Sequence, residues 1–232
     1  MTSLQFTLAS NDAAEVRVCQ AERAIIAGWT GRNKEAMEEH IAELEELGVK
    51  RPARTPMFYR VSVDRLAHAD RIEVLGSASS GEVEFFLFNL DGEVWVGAGS
   101  DHTDREAETA GVTLSKQMCE KVLASELWRL SDVAGHWDEL RLTAHAVIGG
   151  ERVLYQDGSV SAMLSPDDLV GLYAQEETAN GGFRAGDLMM SGTVPAIGGV
   201  RAGSRFEFEL QDPVLGRTIS HGYDVVELPN LG

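Results

Sequence analysis

GEVEFFLFNLDGEVWVGAGSDHTDRE, residues 81–106, decides how the rest of the chain is read. Side chains alternate across a strand, so Glu82, Glu84, Phe86 and Phe88 share one face, and Val83, Phe85 and Leu87 the other. Beyond the glutamates both faces are apolar, which predicts a strand buried on two sides. Asp91-Gly92 is a residue pair favoured in two-residue type I′ hairpins. With that turn as the hinge, Leu90 faces Glu93, Glu84 faces Gly99 and Glu82 faces Asp101. Opposed residues project the same way with Cβ atoms about 5 Å apart. Glu82, Glu84 and Asp101 are therefore expected to converge.

Like charges opposed across a ladder are destabilising, and burying them uncompensated costs several kcal/mol per ion or forces one to keep a proton. A divalent cation removes the difficulty. An all-oxygen carboxylate set suits Mg²⁺, Mn²⁺ or Ca²⁺ better than zinc. The alternative is that both glutamates lie at a solvated strand end and Asp101 starts a loop. His102 follows Asp101 in an extended segment, so it points to the opposite face and is not expected as a fourth ligand.

Working outward, residues 4–8 and 15–18 read as strands around the turn at Asn11-Asp12, and Ala24 to Ala27 as a third. A helix is expected over EAMEEHIAELEELG, with Asn33 as N-cap, Gly48 at C′ and Met37, Ile41, Leu44 and Leu47 as its apolar stripe. MFYRVSV (57–63) and RIEVL (71–75) are strands. A second helix is expected from about Leu114 to Val133, with Met118, Val122, Leu127 and Leu130 as its stripe. LRLTAHAVI and ERVLY form a hairpin through Gly149-Gly150, and Ser165-Pro166-Asp167-Asp168 opens a further helix. DLMMSGT, SRFEFEL and GRTISHGYDVVEL finish the chain as strands. Strands dominate, which favours an α+β fold around a largely antiparallel, barrel-like sheet.

The chain has 232 residues, enough for a sizeable core, with 44% hydrophobic and 25% charged residues, as in ordinary globular proteins. No apolar run reaches bilayer-spanning length, and the N-terminus lacks the pattern of a secretory signal. Cys19 and Cys119 are too few for a disulfide framework, so a reducing cytoplasm is expected, with Cys119 buried and inert. A formal net charge of −17 disfavours nucleic acid and anionic membranes as partners. It does not forbid an anionic substrate, because local cations can outweigh the global field. Dinucleotide-binding, Walker and nucleophile-elbow motifs are absent.

The order of the motifs resembles that of the fumarylacetoacetate hydrolase superfamily, as a divergent branch. EVE (82–84) and SDHTDRE (100–106) occupy the places of that family's Glu-x-Glu strand and its Asn-Asp-x-Thr/Ser-Ala-Arg-Asp segment. IGGERVLYQDGSVSAML resembles its Asn-Gly-Glu...Gln-x-Gly segment, and SGTVPAIGGVRAGSRFEFEL its Thr-Gly-Thr-Pro loop and the strand after it. By this resemblance Glu82, Glu84 and Asp101 are the ligands of Mg²⁺, with Mn²⁺ or Ca²⁺ as alternatives. Arg105, Gln156 and Thr193 become substrate-binding residues, Thr193 beside the substrate carboxylate. Arg60 is a further candidate for that carboxylate, or else a surface ion pair. Lys116 matches the family's lysine by spacing, with Lys121 second.

The family's His-x-x-Glu pair is met here only by His40 and Glu43, about one helical turn late, although residues three apart do share a helix face. The resemblance implies one domain over 1–232: N-terminal strands in 1–30, a candidate lid helix in 31–50 and a catalytic β core in 67–232. It further implies a cytoplasmic homodimer that hydrolyses a small oxo-carboxylic acid, such as an acylpyruvate-like β-diketo acid, through a metal-stabilised enolate. His40 would be the base, Glu43 its orienter, and Lys116 an oxyanion holder. Decarboxylation, dehydration or tautomerisation at the same site are alternatives, as is a small-molecule-binding protein without catalysis.

Overall fold

The computed structural model describes residues 1–11, 13–46, 51–176 and 179–231, without the side chains of residues 40, 43, 44 and 46. Three strands open it, β1 (Thr2–Ala9), β2 (Ala14–Ala21) and β3 (Arg23–Gly28), and helix α1 (Lys34–Glu46) follows. Next come β4 (Met57–Val61), β5 (Leu66–Ala67), β6 (Arg71–Leu75) and β7 (Ser79–Ser80). The central hairpin is β8 (Val83–Leu90) and β9 (Glu93–Asp101). After it run β10 (Thr103–Asp104), α2 (Arg105–Ala110), α3 (Val112–Met118), β11 (Lys121–Leu123), β12 (Glu126–Arg129) and α4 (Leu130–Val133). Then come β13 (Arg141–Ile148), β14 (Glu151–Ser159), α5 (Pro166–Tyr173), β15 (Asp187–Met190), β16 (Arg205–Asp212) and β17 (Arg217–Leu228).

Two large sheets carry these strands, apart from β7 and β10, which pair with each other. One runs β2-β1-β12-β9-β8-β15-β3-β4, with β11 and β5 attached at β9, and curls into a half-barrel. The other runs β14-β13-β16-β17-β6. The predominance of strand agrees with the sequence, but the expectation of a largely antiparallel barrel needs correction. The curled sheet is mixed and open, because β1 pairs with β12, β3 with β15 and β5 with β11 in parallel. These partners are distant in sequence, and period-2 patterning says which face is buried but not which strand lies alongside.

One apolar cluster, with Phe85, Leu87, Trp128, Phe206 and Tyr223, fills the space between the sheets. A second, with Phe6, Phe86, Phe88, Leu127 and Met190, fills the other face of the curled sheet. β8 is buried at every residue, as a strand with two apolar faces must be. The hairpin register is the one that turn chemistry dictates: Leu90 opposes Glu93 and Glu84 opposes Gly99. Asp91 (φ 56°) and Gly92 (φ 92°) supply the left-handed pair of a type I′ turn. Gly149 and Gly150, both at positive φ, close the β13–β14 hairpin in the same way.

Asn33 caps α1, its Oδ1 accepting from Glu35 N at 3.1 Å and Ala36 N at 3.2 Å. Ser165 Oγ likewise accepts from Asp168 N at the start of α5. The expected end of α1, with Leu47 and Gly48, lies outside the described residues. The single helix expected from Leu114 to Val133 is overturned: α3 stops at Met118, the strands β11 and β12 follow, and the chain is helical again only in α4. Val122 and Leu127 fit an apolar stripe at helical spacing equally well as alternate positions on short strands. Pairing with β9 decides between the two. No described helix is long and apolar enough to cross a membrane.

Candidate metal centre

Carboxylate oxygens of Glu82, Glu84 and Asp101 lie within 4.8 Å of one another. β8 places Glu84, the residue ahead of it carries Glu82, and β9 ends at Asp101. Asp101 N donates to Glu82 O at 3.0 Å, so the hairpin ladder continues one step past Val83 and brings the last pair into register. Exposure is graded. Asp101 and Glu84 are buried, whereas Glu82 lies at the rim.

Three cations surround the carboxylates. Lys116, at the end of α3, reaches Asp101 Oδ2 at 2.5 Å and Glu82 Oε2 at 3.1 Å. Lys121 on β11 reaches Asp101 Oδ1 at 2.8 Å and donates to His102 O at 2.6 Å. Arg105, opening α2, contacts Glu82 Oε1 at 3.0 Å and is held by Glu108 and Ser80 Oγ. Thus both lysines that the spacing offered as alternatives lie on Asp101.

These charges set the protonation of the group. Burial pushes the Asp101 carboxyl up, but Lys116 and Lys121 outweigh it and bring it down to about 2. Burial likewise works against ionised Glu82, and Arg105 and Lys116 keep it below the usual carboxylate range. Glu84 has no cation so close. Burial, then the charge of Asp101, raise it well above that range. Its Oε2 accepts one backbone bond, from Gly192 N at 2.9 Å. Burial opposes the charged forms of Lys116 and Arg105, but the carboxylates beside each raise both above their ordinary values.

A divalent cation fits this set. The donors are all oxygen, both Asp101 oxygens are buried with ion-pair contacts but no well-aligned hydrogen bond, and burial and the Asp101 charge, which raise Glu84 well above the usual carboxylate range, are what a bound cation would offset.

Behind Asp101, His102 turns away as alternation predicts, its ring nitrogens contacting Tyr223 OH at 2.8 Å and Ser79 Oγ at 2.9 Å. Burial, then Lys121 and Arg105, bring its pKa to about 3, so the ring is neutral. Nothing in the sequence pattern marked Tyr223 or Ser79 for this role, because their partners come from distant elements. Cys119 is buried at the end of α3, and burial raises its thiol to about 11.

The remaining candidates are placed as follows. Gln156 and Thr193 lie beside Val83, between the two glutamates: Gln156 Oε1 accepts from Val83 N, and Thr193 Oγ1 donates to Val83 O. Arg60 is exposed on β4, on the face opposite to the buried Tyr59. His40 and Glu43 fall on α1, but their side chains lie outside the described residues. A surface hollow of about 570 Å³ beside Arg32, Trp137 and Ser165 contains none of the carboxylates. Trp137 packs edge-on against Phe85, on the opposite face of β8 from Glu84.

The curled sheet, the second sheet packed on it and the carboxylate trio at the strand ends define a protein with the fold of the fumarylacetoacetate hydrolase superfamily, which the chain resembles. Among solved structures it is similar to the fumarylacetoacetate hydrolase of psychrophilic Exiguobacterium antarcticum, at 17% identity over 94% of this chain and 82% of that one, TM-score 0.60. It is also similar to a 2-keto-3-deoxy-D-arabinonate dehydratase complexed with magnesium and 2,5-dioxopentanoate, at 14% identity over 93% and 77%, TM-score 0.62. A third is Cg1458 with an inhibitor, at 18% identity over 92% and 81%, TM-score 0.63. At such identities the shared property is the fold. No curated protein matches the chain. The chain belongs to the family described as Protein of unknown function (DUF2848), which matches residues 27–223.

Proposed function

We propose that this chain is a divalent-metal-dependent enzyme of the hydrolase or dehydratase type that acts on a small oxo-carboxylic acid. The observation that carries the reading is the buried carboxylate trio with Lys116, Lys121 and Arg105 packed against it. Glu82, Glu84 and Asp101 would hold the cation, with Mg²⁺ favoured, because magnesium accompanies the dehydratase of the same fold. Bound there, the cation would supply a Lewis acid that draws off negative charge building on substrate oxygens.

The chain's own residues do the rest. With a divalent ion bound and Glu84 ionised, the ion together with Lys116, Lys121 and Arg105 outweighs Glu82, Glu84, Asp101 and Glu108 by one charge, which leaves the site positive and able to attract an anionic oxo acid despite the overall charge of −17. Lys116, less enclosed than Lys121, offers its ammonium protons to an oxyanion. Arg105, at the rim beside Glu82, is placed to meet a substrate carboxylate. His40 would move the proton, with Glu43 orienting it, if α1 closes over the site. The same reading includes a cytoplasmic homodimer and a single domain over 1–232.

Acylpyruvates and 2-oxo acids, assayed with Mg²⁺ or Mn²⁺ and again after chelation, test the reading. Turnover that appears with the ion and vanishes on chelation is expected. Saturable binding of these acids without turnover in either condition would overturn the enzymatic reading in favour of a binding protein.

A further inference from the structure

Val83 lies between two of the carboxylates, and on one edge its N–H and C=O are held by side chains instead of a neighbouring strand. On the edge of β8 that faces β9 the ladder is complete. On the other edge, β15 pairs with β8 at Phe86, Leu87 and Phe88, and Ser191 N reaches Phe85 O at 3.2 Å. β15 does not extend to Val83. Buried peptide groups without partners are costly, so the Val83 N–H and C=O must be satisfied some other way.

Gln156 and Thr193 satisfy them. Gln156 Oε1 accepts from Val83 N at 3.0 Å, and Thr193 Oγ1 donates to Val83 O at 2.6 Å. The two side chains are also bonded to each other, Gln156 Nε2 donating to Thr193 Oγ1 at 2.7 Å and to Val194 O at 2.5 Å. Every proton is therefore committed: the single hydroxyl proton to Val83 O, and the amide protons to Thr193 and Val194. Neither side chain has a donor left for a substrate carboxylate. The pattern also orients the Gln156 amide, since a flipped group would set its NH₂ against the Val83 N–H.

We propose that Gln156 and Thr193 are positioning residues that clamp the two peptide groups flanking Val83, Gln156 the one shared with Glu82 and Thr193 the one shared with Glu84, and so set the spacing and direction of Glu82 and Glu84 toward a divalent cation. This rests on the metal reading above. A residue's side chain follows the rotation of the peptide group it shares with its neighbour, so loosening either peptide group beside Val83 would splay the two carboxylates. The clamp joins both sheets at this point, Gln156 coming from β14 and Thr193 from the segment after β15. That segment also carries Gly192, whose N–H holds Glu84 directly.

The test is Mn²⁺ affinity, read by electron paramagnetic resonance of the free ion, on the metal-free wild type, Thr193→Val, Gln156→Met and Thr193→Ser. Loss of either clamp residue is expected to weaken Mn²⁺ binding roughly tenfold to hundredfold. Thr193→Ser keeps the donated proton and is expected to bind as the wild type does. Gln156→Met reads the same clamp from the other side should the valine variant fail to fold. Wild-type Mn²⁺ affinity in either clamp variant, with a raised KM for the oxo acid instead, would overturn the proposal and return both residues to substrate binding. A wild type that binds no Mn²⁺ at all would overturn the metal reading itself, and this inference with it.

Discussion

Asp101 and Lys121 oppose each other across the β9–β11 pair, and Lys121 Nζ lies 2.8 Å from Asp101 Oδ1 with both side chains fully buried. Lys116 approaches the other oxygen from the rim. The two lysines should therefore separate in their effects. Lys121→Met removes the inner partner of a buried charge and is expected to cost about 3–5 kcal/mol of stability, measured by urea unfolding. Lys116→Met leaves Asp101 with Lys121 and Glu82 with Arg105. It should cost less in stability but about 10²–10³ in kcat.

Glu84 gives a pH signature in the metal-free protein. Its folded pKa is raised, so above the unfolded value of about 4.3 the unfolded state releases a proton that the folded state keeps, and stability falls as pH rises. Glu84→Gln removes that loss. The metal-free variant should be more stable than the wild type at about pH 7.5, with the gap closing toward about pH 4. It should show no rise in Tm with millimolar Mn²⁺ where the wild type does. Chemical denaturation at both pH values decides; a variant less stable at the higher pH contradicts the raised pKa.

Asp212 behaves in the opposite sense. Burial pushes its carboxyl up, but the Leu215 N–H, His136 and Arg217 outweigh this and depress it. It closes the β16–β17 hairpin. A depressed pKa contributes stability above the unfolded value of about 3.9, lost as pH falls through the folded one. Asp212→Asn is expected to cost about 1–3 kcal/mol at neutral pH and to flatten the acid limb of the stability curve.

Gly192 is required by both conformation and space. Its φ is +89°, and a Cβ there would stand 2.3 Å from Thr30 Oγ1. Gly192→Ala should cost about 1–3 kcal/mol, and by shifting the N–H that holds Glu84 it should also weaken Mn²⁺ binding. Unaltered Tm and affinity would show that the loop adapts.

His40→Ala tests the proposed base. Removing a general base costs about 10²–10⁴ in rate, whereas a surface histidine costs almost nothing. The variant should lose most of kcat while keeping the metal-dependent thermal shift, since the carboxylates lie on other elements. Full activity with an authentic substrate would move the search for the base toward Lys34 or Glu35.

The central hairpin, its register and the meeting of Glu82, Glu84 and Asp101 are all legible in the order of the amino acids. Each follows from rules acting over a few residues, the left-handed pair Asp91-Gly92 and the two-residue period of a strand; the starts of α1 and α5 follow in the same way from the caps Asn33 and Ser165. What lies beside that hairpin is a matter of long-range packing. β11 and β12 became strands because β9 was there to pair with them, against a stripe that suited a helix equally well. The same packing also set both lysines on Asp101, brought the Gly192 N–H to Glu84, and committed the Thr193 proton to Val83. Those contacts join residues far apart in the chain. Local propensity cannot encode them, because they arise only once burial has settled which strands are neighbours and which charges must be paired.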